Sequence, residues 1–382
     1  MLEIDGAQGE GGGQVLRTAL ALSLLTGRGF RLHSVRAGRQ KPGLMRQHRA
    51  CVQAAQAIGQ ATVTGDFLHS TELTFQPQAV QAGDYHFAIG SAGSTMLVLQ
   101  TILPVLLLAD RPSTVVIEGG THNPMAPTAD FVQQGFLPLL QRLGAAVELQ
   151  VAQAGFAPVG GGRVRVQIQP WHRMQSLDLL ARGPVQQVSL QTAVLNLEAQ
   201  IAEREREVLQ AQLQDWPLGL APVGQWLGVA QGNALSVRVQ LAAHTEVFTA
   251  LGERGRPAEQ VARRLAGQVQ RYLHQGAALD EYSTDQALLP LALVAWKTGQ
   301  TSRFSSRFLS QHTHTQAEGI ERFLPVSIGF ETLERMAVVT VHDDWPACRA
   351  GFAGQRIFAL TSRGGRNYAD VAFEPGDVFV FG

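Results

Sequence analysis

LGAAVEL, residues 143–149, closes a helix on a glycine and runs at once into a strand; IGQATVT (58–64) does the same, and LPVSIGF (324–330) passes from helix to strand through a proline. Each closes a run of helix, strand, helix, strand. In the first run a short strand at 2–4 leads through a glycine loop to a helix over 14–26 stopped by Gly27, then a strand at 30–35. A helix after Pro42 follows, apolar at Leu44, Cys51, Ala54 and Ile58, before the strand at 61–64. The second run reads helix 91–108, strand 113–118, helix 129–143, strand 145–151, and the third helix 284–297, strand 301–304, helix 316–323, strand 326–330. A unit that recurs three times predicts an α/β (α+β) protein of three repeated modules, with helices packed on sheets around one core.

Residues 184–274 keep a different rhythm: strand-like alternation at 184–195, a charged helix at 198–213, a hairpin at 234–251 and a helix at 257–274. That last helix has Val261, Leu265, Val269 and Leu273 on one face. Glycines at 160–162 and at Gly276 flank the segment. The expected organisation is therefore a large catalytic domain over 1–183 and 275–342, a small α/β domain over 184–274 inserted before the third module, and an atypical extension over 343–382.

Composition narrows the function. At 382 residues with zero formal net charge, no global field draws the chain to nucleic acid or membrane, so such a partner needs a local patch. One exists: from Gly11 to Gly65 there is no Asp or Glu, while Arg17, Arg28, Arg31, Arg36, Arg39, Lys41, Arg46 and Arg49 all fall there. Two cysteines exclude a disulfide framework and suit a reducing cytoplasm. The longest apolar run, 96–109, contains Gln100 and Pro104 and falls short of the roughly 20 residues of a membrane span, so no membrane partner is expected. Lys41 and Lys297 are the only lysines, and neither stands in a Walker loop or a lysine-adenylation motif.

Six motifs carry the candidate chemistry. DGAQGEGGGQVLR (5–17) sets five glycines around Glu10 at a helix start, where close backbone N–H groups favour an anion and the carboxylate can hold a metal. RAGRQKPGLMRQHR (36–49) supplies guanidinium forks suited to phosphate. FAIGSAGST (87–95) and GGTHNPMAPTADF (119–131) form small-residue turns of the second module, and EYSTDQALLP (281–290) offers Tyr282 for stacking, with Asp285 and Gln286 at a helix start. On the residues alone Asp285 reads equally well as a helix cap. In SQHTHTQAEGIERFLP (310–325), His312 and His314 at i and i+2 of an extended piece would point to one side, open to a metal pair or to a nucleophilic imidazole.

Together these motifs resemble the RNA 3′-terminal phosphate cyclase family, in order and over about residues 1–342. The resemblance implies ATP and a divalent metal (Mg2+ or Mn2+) as cofactors, and conversion of an RNA 3′-phosphate to a 2′,3′-cyclic phosphodiester. It also implies a covalent histidine–AMP intermediate. Aligned on ERFLP, His312 takes the nucleophile position, while His314 stands where the family has an apolar residue. Glu10 matches the metal-side carboxylate, and Arg17, Arg36, Arg39 and Gln47 match the groups that hold the RNA 3′-phosphate. Gln100, Pro127, Phe248, Tyr282, Ser283, Thr284, Asp285 and Gln286 match the adenylate pocket. RNA is the expected partner, with no requirement for DNA. The tail resembles the middle of a knotted tRNA 2′-O-methyltransferase and stops before its cofactor-binding glycines, which implies no methyltransferase activity and a fused or truncated reading frame. Two other functions stay open from sequence: a non-catalytic RNA or ribosome-assembly binding relative, and an enolpyruvyl-transferase-like enzyme on the same module.

Overall fold

The computed structural model describes residues 1–9, 11–333, 336–344, 357–360 and 378–381. Its first module runs β1 (Leu2–Asp5), α1 (Gly13–Thr26), β2 (Phe30–His33), α2 (Arg46–Gly59), β3 (Thr62–Thr64) and β4 (Leu73–Gln76). The second runs β5 (Asp84–Ala88), α3 (Thr95–Leu107), β6 (Ser113–Gly119), α4 (Ala129–Phe131), α5 (Leu137–Arg142), β7 (Val147–Gln153) and β8 (Gly162–Ile168). The third opens with β9 (Asp178–Leu179) and is then interrupted by β10 (Val185–Leu195), α6 (Ala199–Leu213), β11 (Leu218–Leu220), β12 (Gly224–Trp226), β13 (Gly232–Leu241), β14 (Thr245–Leu251) and α7 (Ala258–Leu273). It resumes with α8 (Glu281–Thr298), β15 (Ser302–Ser306), α9 (Gln311–Phe323), β16 (Ser327–Leu333) and β17 (Met336–His342).

The repeat is literal at the level of pairing. The sheets are ordered β1-β2-β4-β3, β5-β6-β8-β7 and β9-β15-β17-β16. In each, the first two strands are parallel and the other two pairings antiparallel. The extra segment thus enters inside the third module, after its first strand, rather than ahead of the module. It has a sheet of its own, with β13 between β10 and β14, and a separate apolar core in which Leu209 and Leu213 of α6 meet Val261 and Leu265 of α7.

The modules share one core, and α3 and α8 pass through its middle. α3 is apolar on every side, which suits full burial, and only Gln100 among its residues is half-exposed. Three readings from sequence change. The helix expected over 129–143 carries a π segment at Val132–Phe136, just before Pro138, whose ring nitrogen cannot donate the next i→i−4 bond. The expected helix at 316–323 begins at Gln311, because Ser310 caps it with its hydroxyl. The histidines are therefore helical, and i, i+2 on a helix places them on different sides instead of one. Of the tail, β18 (Ile357–Leu360) and β19 (Val378–Phe381) extend the third sheet beyond β16. The remainder of the methyltransferase-like stretch lies outside the described residues. Among the described residues no helix is long and apolar enough to cross a membrane.

Candidate active site

Each module begins its helical layer with an equivalent helix, α1, α3 or α8, and these carry Arg17, Gln100 and Gln286 five, six and six positions past their N-caps. Four residues further on stand Ala21, Pro104 and Pro290. All six line a single cleft of about 1150 Å³, and the Gln100 amide donates to Gln286 Oε1 across it. The repeat thus places one polar residue per module at a shared centre. β14 and α7 of the inserted segment close the cleft with Phe248, Thr249 and Arg264.

The first module supplies the cationic side. α1 starts at Gly13 behind Gly12, with no side-chain cap and no acid in its first turn, so its leading N–H groups are left for other acceptors. Side chains crowd that start. A Cβ on Gly13 would lie 2.5 Å from His48 Nε2 and 2.9 Å from Arg17 Nη1, and one on Gly12 would lie 3.1 Å from Arg39 Nη2. A side chain at either glycine would have to displace the ends of His48, Arg17 or Arg39, which fill the space in front of the helix start. His48 is held neutral: burial, with Arg36 and Arg17 nearby, pushes its pKa down to about 3. Its Nδ1 then accepts from the Met45 N–H at 3.1 Å. Burial also lowers the Arg17 guanidinium, with Cys51 acting in the opposite direction. Arg36, in the left-handed region at φ 55°, donates to the Lys41 and Gly43 carbonyls at 2.6 and 3.0 Å and so braces the loop. Gln47 Oε1 accepts from the Ser94 N–H at 3.1 Å, tying this side to the second module.

Opposite stands His312. Its Nδ1 meets Gln14 Oε1, while Gln14 Nε2 reaches the His312 carbonyl and Gln316 Oε1, both at 3.3 Å. A carbonyl can only accept, which fixes the amide's orientation and makes Nδ1 the donor. In the neutral ring Nε2 then carries the lone pair. Asp285 anchors the start of α9 by accepting from Ser310 Oγ (3.0 Å) and Thr313 Oγ1. It is thus no helix cap: Asp280 caps α8. Burial pushes the Asp285 pKa up to about 7, against the two hydroxyl bonds. His314 turns away, edge-on to Phe330 at 5.0 Å.

Of the residues expected around a nucleotide, Gln100, Pro127, Phe248, Tyr282, Asp285 and Gln286 line the cleft. Ser283 and Thr284 do not. Ser283 is buried with its hydroxyl on Glu246 (2.8 Å), and Thr284 is buried with its hydroxyl shared between the Asp280 carbonyl and Ser306. Helix periodicity explains this, since a run of five successive helical residues cannot all face one side. Glu10 lies outside the described residues, and among those described no three His, Cys, Asp or Glu are gathered in a metal-binding group. Gln14 and His48 had no role from sequence; their only signal was position, beside the glycines and arginines.

Three copies of one α/β module around an anion-ready central cleft define the architecture. A model for RNA 3′-terminal phosphate cyclase matches residues 8–330. The RNA 3′-terminal phosphate cyclase of Ralstonia nicotianae is 47% identical over 343 residues, covering 89% of this chain and 96% of that one. Those of Koribacter versatilis (43% over 341 residues, 89% and 95% covered) and Salmonella typhimurium (42% over 343 residues, 90% and 99%) are also similar. The chain belongs to the RNA 3′-terminal phosphate cyclase family.

Proposed function

We propose that this protein uses ATP to convert an RNA 3′-terminal phosphate into a 2′,3′-cyclic phosphodiester, with His312 as nucleophile. His312 Nε2 attacks the α-phosphorus of ATP, the bond to pyrophosphate breaks, and AMP remains on the ring. A 3′-phosphate oxygen of the RNA then takes the adenylyl group and frees the histidine. The neighbouring 2′-hydroxyl attacks the 3′-phosphorus, loses its proton, and AMP departs.

The observation that carries this reading is the Gln14–His312 contact, which leaves the lone pair on Nε2. Arg17, Arg36 and Arg39 with the open start of α1 suit the RNA phosphate, because two polyanions meet only where fixed positive charge offsets their repulsion. Gln100, Gln286, Pro127, Phe248 and Tyr282 suit the adenosine, with Tyr282 and Pro127 flanking the base. A divalent ion would be held by Glu10 and substrate oxygens, as Mg2+ commonly takes one or two carboxylates and completes its shell with phosphate and water. It would supply charge neutralisation between the phosphates. In this reading residues 1–183 and 275–342 form the catalytic domain, and 184–274 the inserted domain.

The test is incubation with α-labelled ATP and metal. Label that is acid-labile and base-stable should form on wild type and on His314→Ala, and vanish in His312→Ala. Retained label in His312→Ala overturns the assignment. Oligonucleotides ending in 3′-phosphate should be consumed, and their 3′-hydroxyl counterparts left unchanged.

A further inference from the structure

Exposed apolar residues scattered singly are ordinary, but a cluster marks an interaction surface. Met125 (96% exposed), Leu227 (87%), Val229 (68%) and Val159 (56%) stand on three loops that pack together. Buried His122 makes the joint. Its ring stacks on Phe156 at 5.2 Å and lies 4.8 Å from Trp226, while its nitrogens meet Thr121 Oγ1 (2.8 Å) and Asp130 Oδ2 (3.2 Å). Val229 also fills the space over Gly161, where a Cβ would come within 2.3 Å of its Cγ2. Asn196 holds the strand of chain behind it by donating to the Gly228 and Ala230 carbonyls, each at 2.8 Å. The loops are braced from beneath, and their apolar tips stay in water.

This apolar lip continues into the cleft, which Met125 and Phe156 line, and whose first-module side carries Arg17, Arg36 and Arg39. A surface apolar along one edge and cationic along the other matches a single strand of RNA, whose bases and phosphates separate in the same way. Duplex RNA offers phosphates and 2′-hydroxyls rather than base faces, and would gain nothing from these side chains. We propose that the lip is the subsite for the unpaired bases immediately upstream of the terminal nucleotide. This rests on the RNA reading above.

Fluorescence anisotropy on the full chain tests it without requiring catalysis. The ligands are a 12-mer single-stranded RNA with a 3′-phosphate and the same strand abasic at the three positions before its last nucleotide. Wild type should bind the intact strand about tenfold more tightly than the abasic one, the scale expected from removing a modest apolar contact area from water. Leu227→Asp/Val229→Asp should bind both at the abasic level, with self-adenylation within twofold of wild type as proof of folding; Leu227→Ala should fall between. Equal binding of the two strands by wild type, or an undiminished preference in the double variant, overturns the subsite. A dimer in sedimentation that becomes monomeric in the double variant also overturns it, since the lip would then be a protein interface. Loss of cyclisation in wild type with the base preference intact would count against the reaction and leave the subsite standing.

Discussion

The helix starts on the two sides of the cleft are built in opposite ways. α1 begins on bare glycine, with no cap and arginines where side chains would otherwise stand. α8 and α9 cap themselves, Asp280 accepting from the Ser283 N–H and Ser310 from that of Thr313, and Asp285 ties the two together. An open start keeps its donors for an external anion; a closed start spends them on rigidity and holds a side chain in place. The difference teaches that one repeated module can leave its helix start open or close it around a side chain according to how the helix is capped; in the proposed reaction these would be the cradle of the RNA phosphate and the mount of His312.

The sharpest way to break this comparison is to remove charge from the open side only. Arg39→Ala should slow cyclisation of 3′-phosphate RNA by about a hundredfold, typical of losing one stabilising donor, while self-adenylation stays largely intact. Equal loss of both steps, measured by single-turnover assays, would erase the division between the sides. A smaller effect comes from converting the open start into a closed one. Gly12→Asp adds a capping carboxylate, so the RNA KM should rise about tenfold through repulsion, even as helix capping gains a few tenths of a kcal/mol in denaturant titration.

The smallest effect lies far from either helix start. Glu205, buried in the inserted segment, accepts from Asn233 Nδ2 at 2.6 Å, and burial pushes its pKa from 4.5 to about 7. A carboxyl raised on folding contributes stability fully below its unfolded pKa, and loses that contribution as pH climbs through the folded one. Glu205→Gln should therefore gain on wild type, by on the order of 1 kcal/mol, between pH 5 and pH 8. Activity at saturating substrate should not change. A constant difference in Tm across that range would show that the carboxyl does not titrate there.

Much of this was legible in the residues. Helix ends on Gly27 and Gly59, the acid-free basic window, and the break in rhythm over 184–274 all express local chemistry, which a chain displays before it folds. The misreadings were non-local. His312 and His314 read as an extended pair because the turn 311–315 lacks apolar periodicity, and only the Ser310 cap with its Asp285 anchor makes it helical. Ser283 and Thr284 read as ligand groups because a motif is contiguous, whereas a helix presents only some of its residues to one side.

By itself, then, the sequence determined the three-module α/β plan, the basic patch and the identity of His312 as the histidine beside ERFLP, because periodicity, charge spacing and motif order are properties of a chain. Tertiary structure alone decided that Arg17, Gln100 and Gln286 converge, that the extra segment enters within the third module, and that the Gln14 amide meets the ring of His312. Gln14 and His312 lie 298 positions apart, and no local pattern encodes a contact made only when three sheets close around one core.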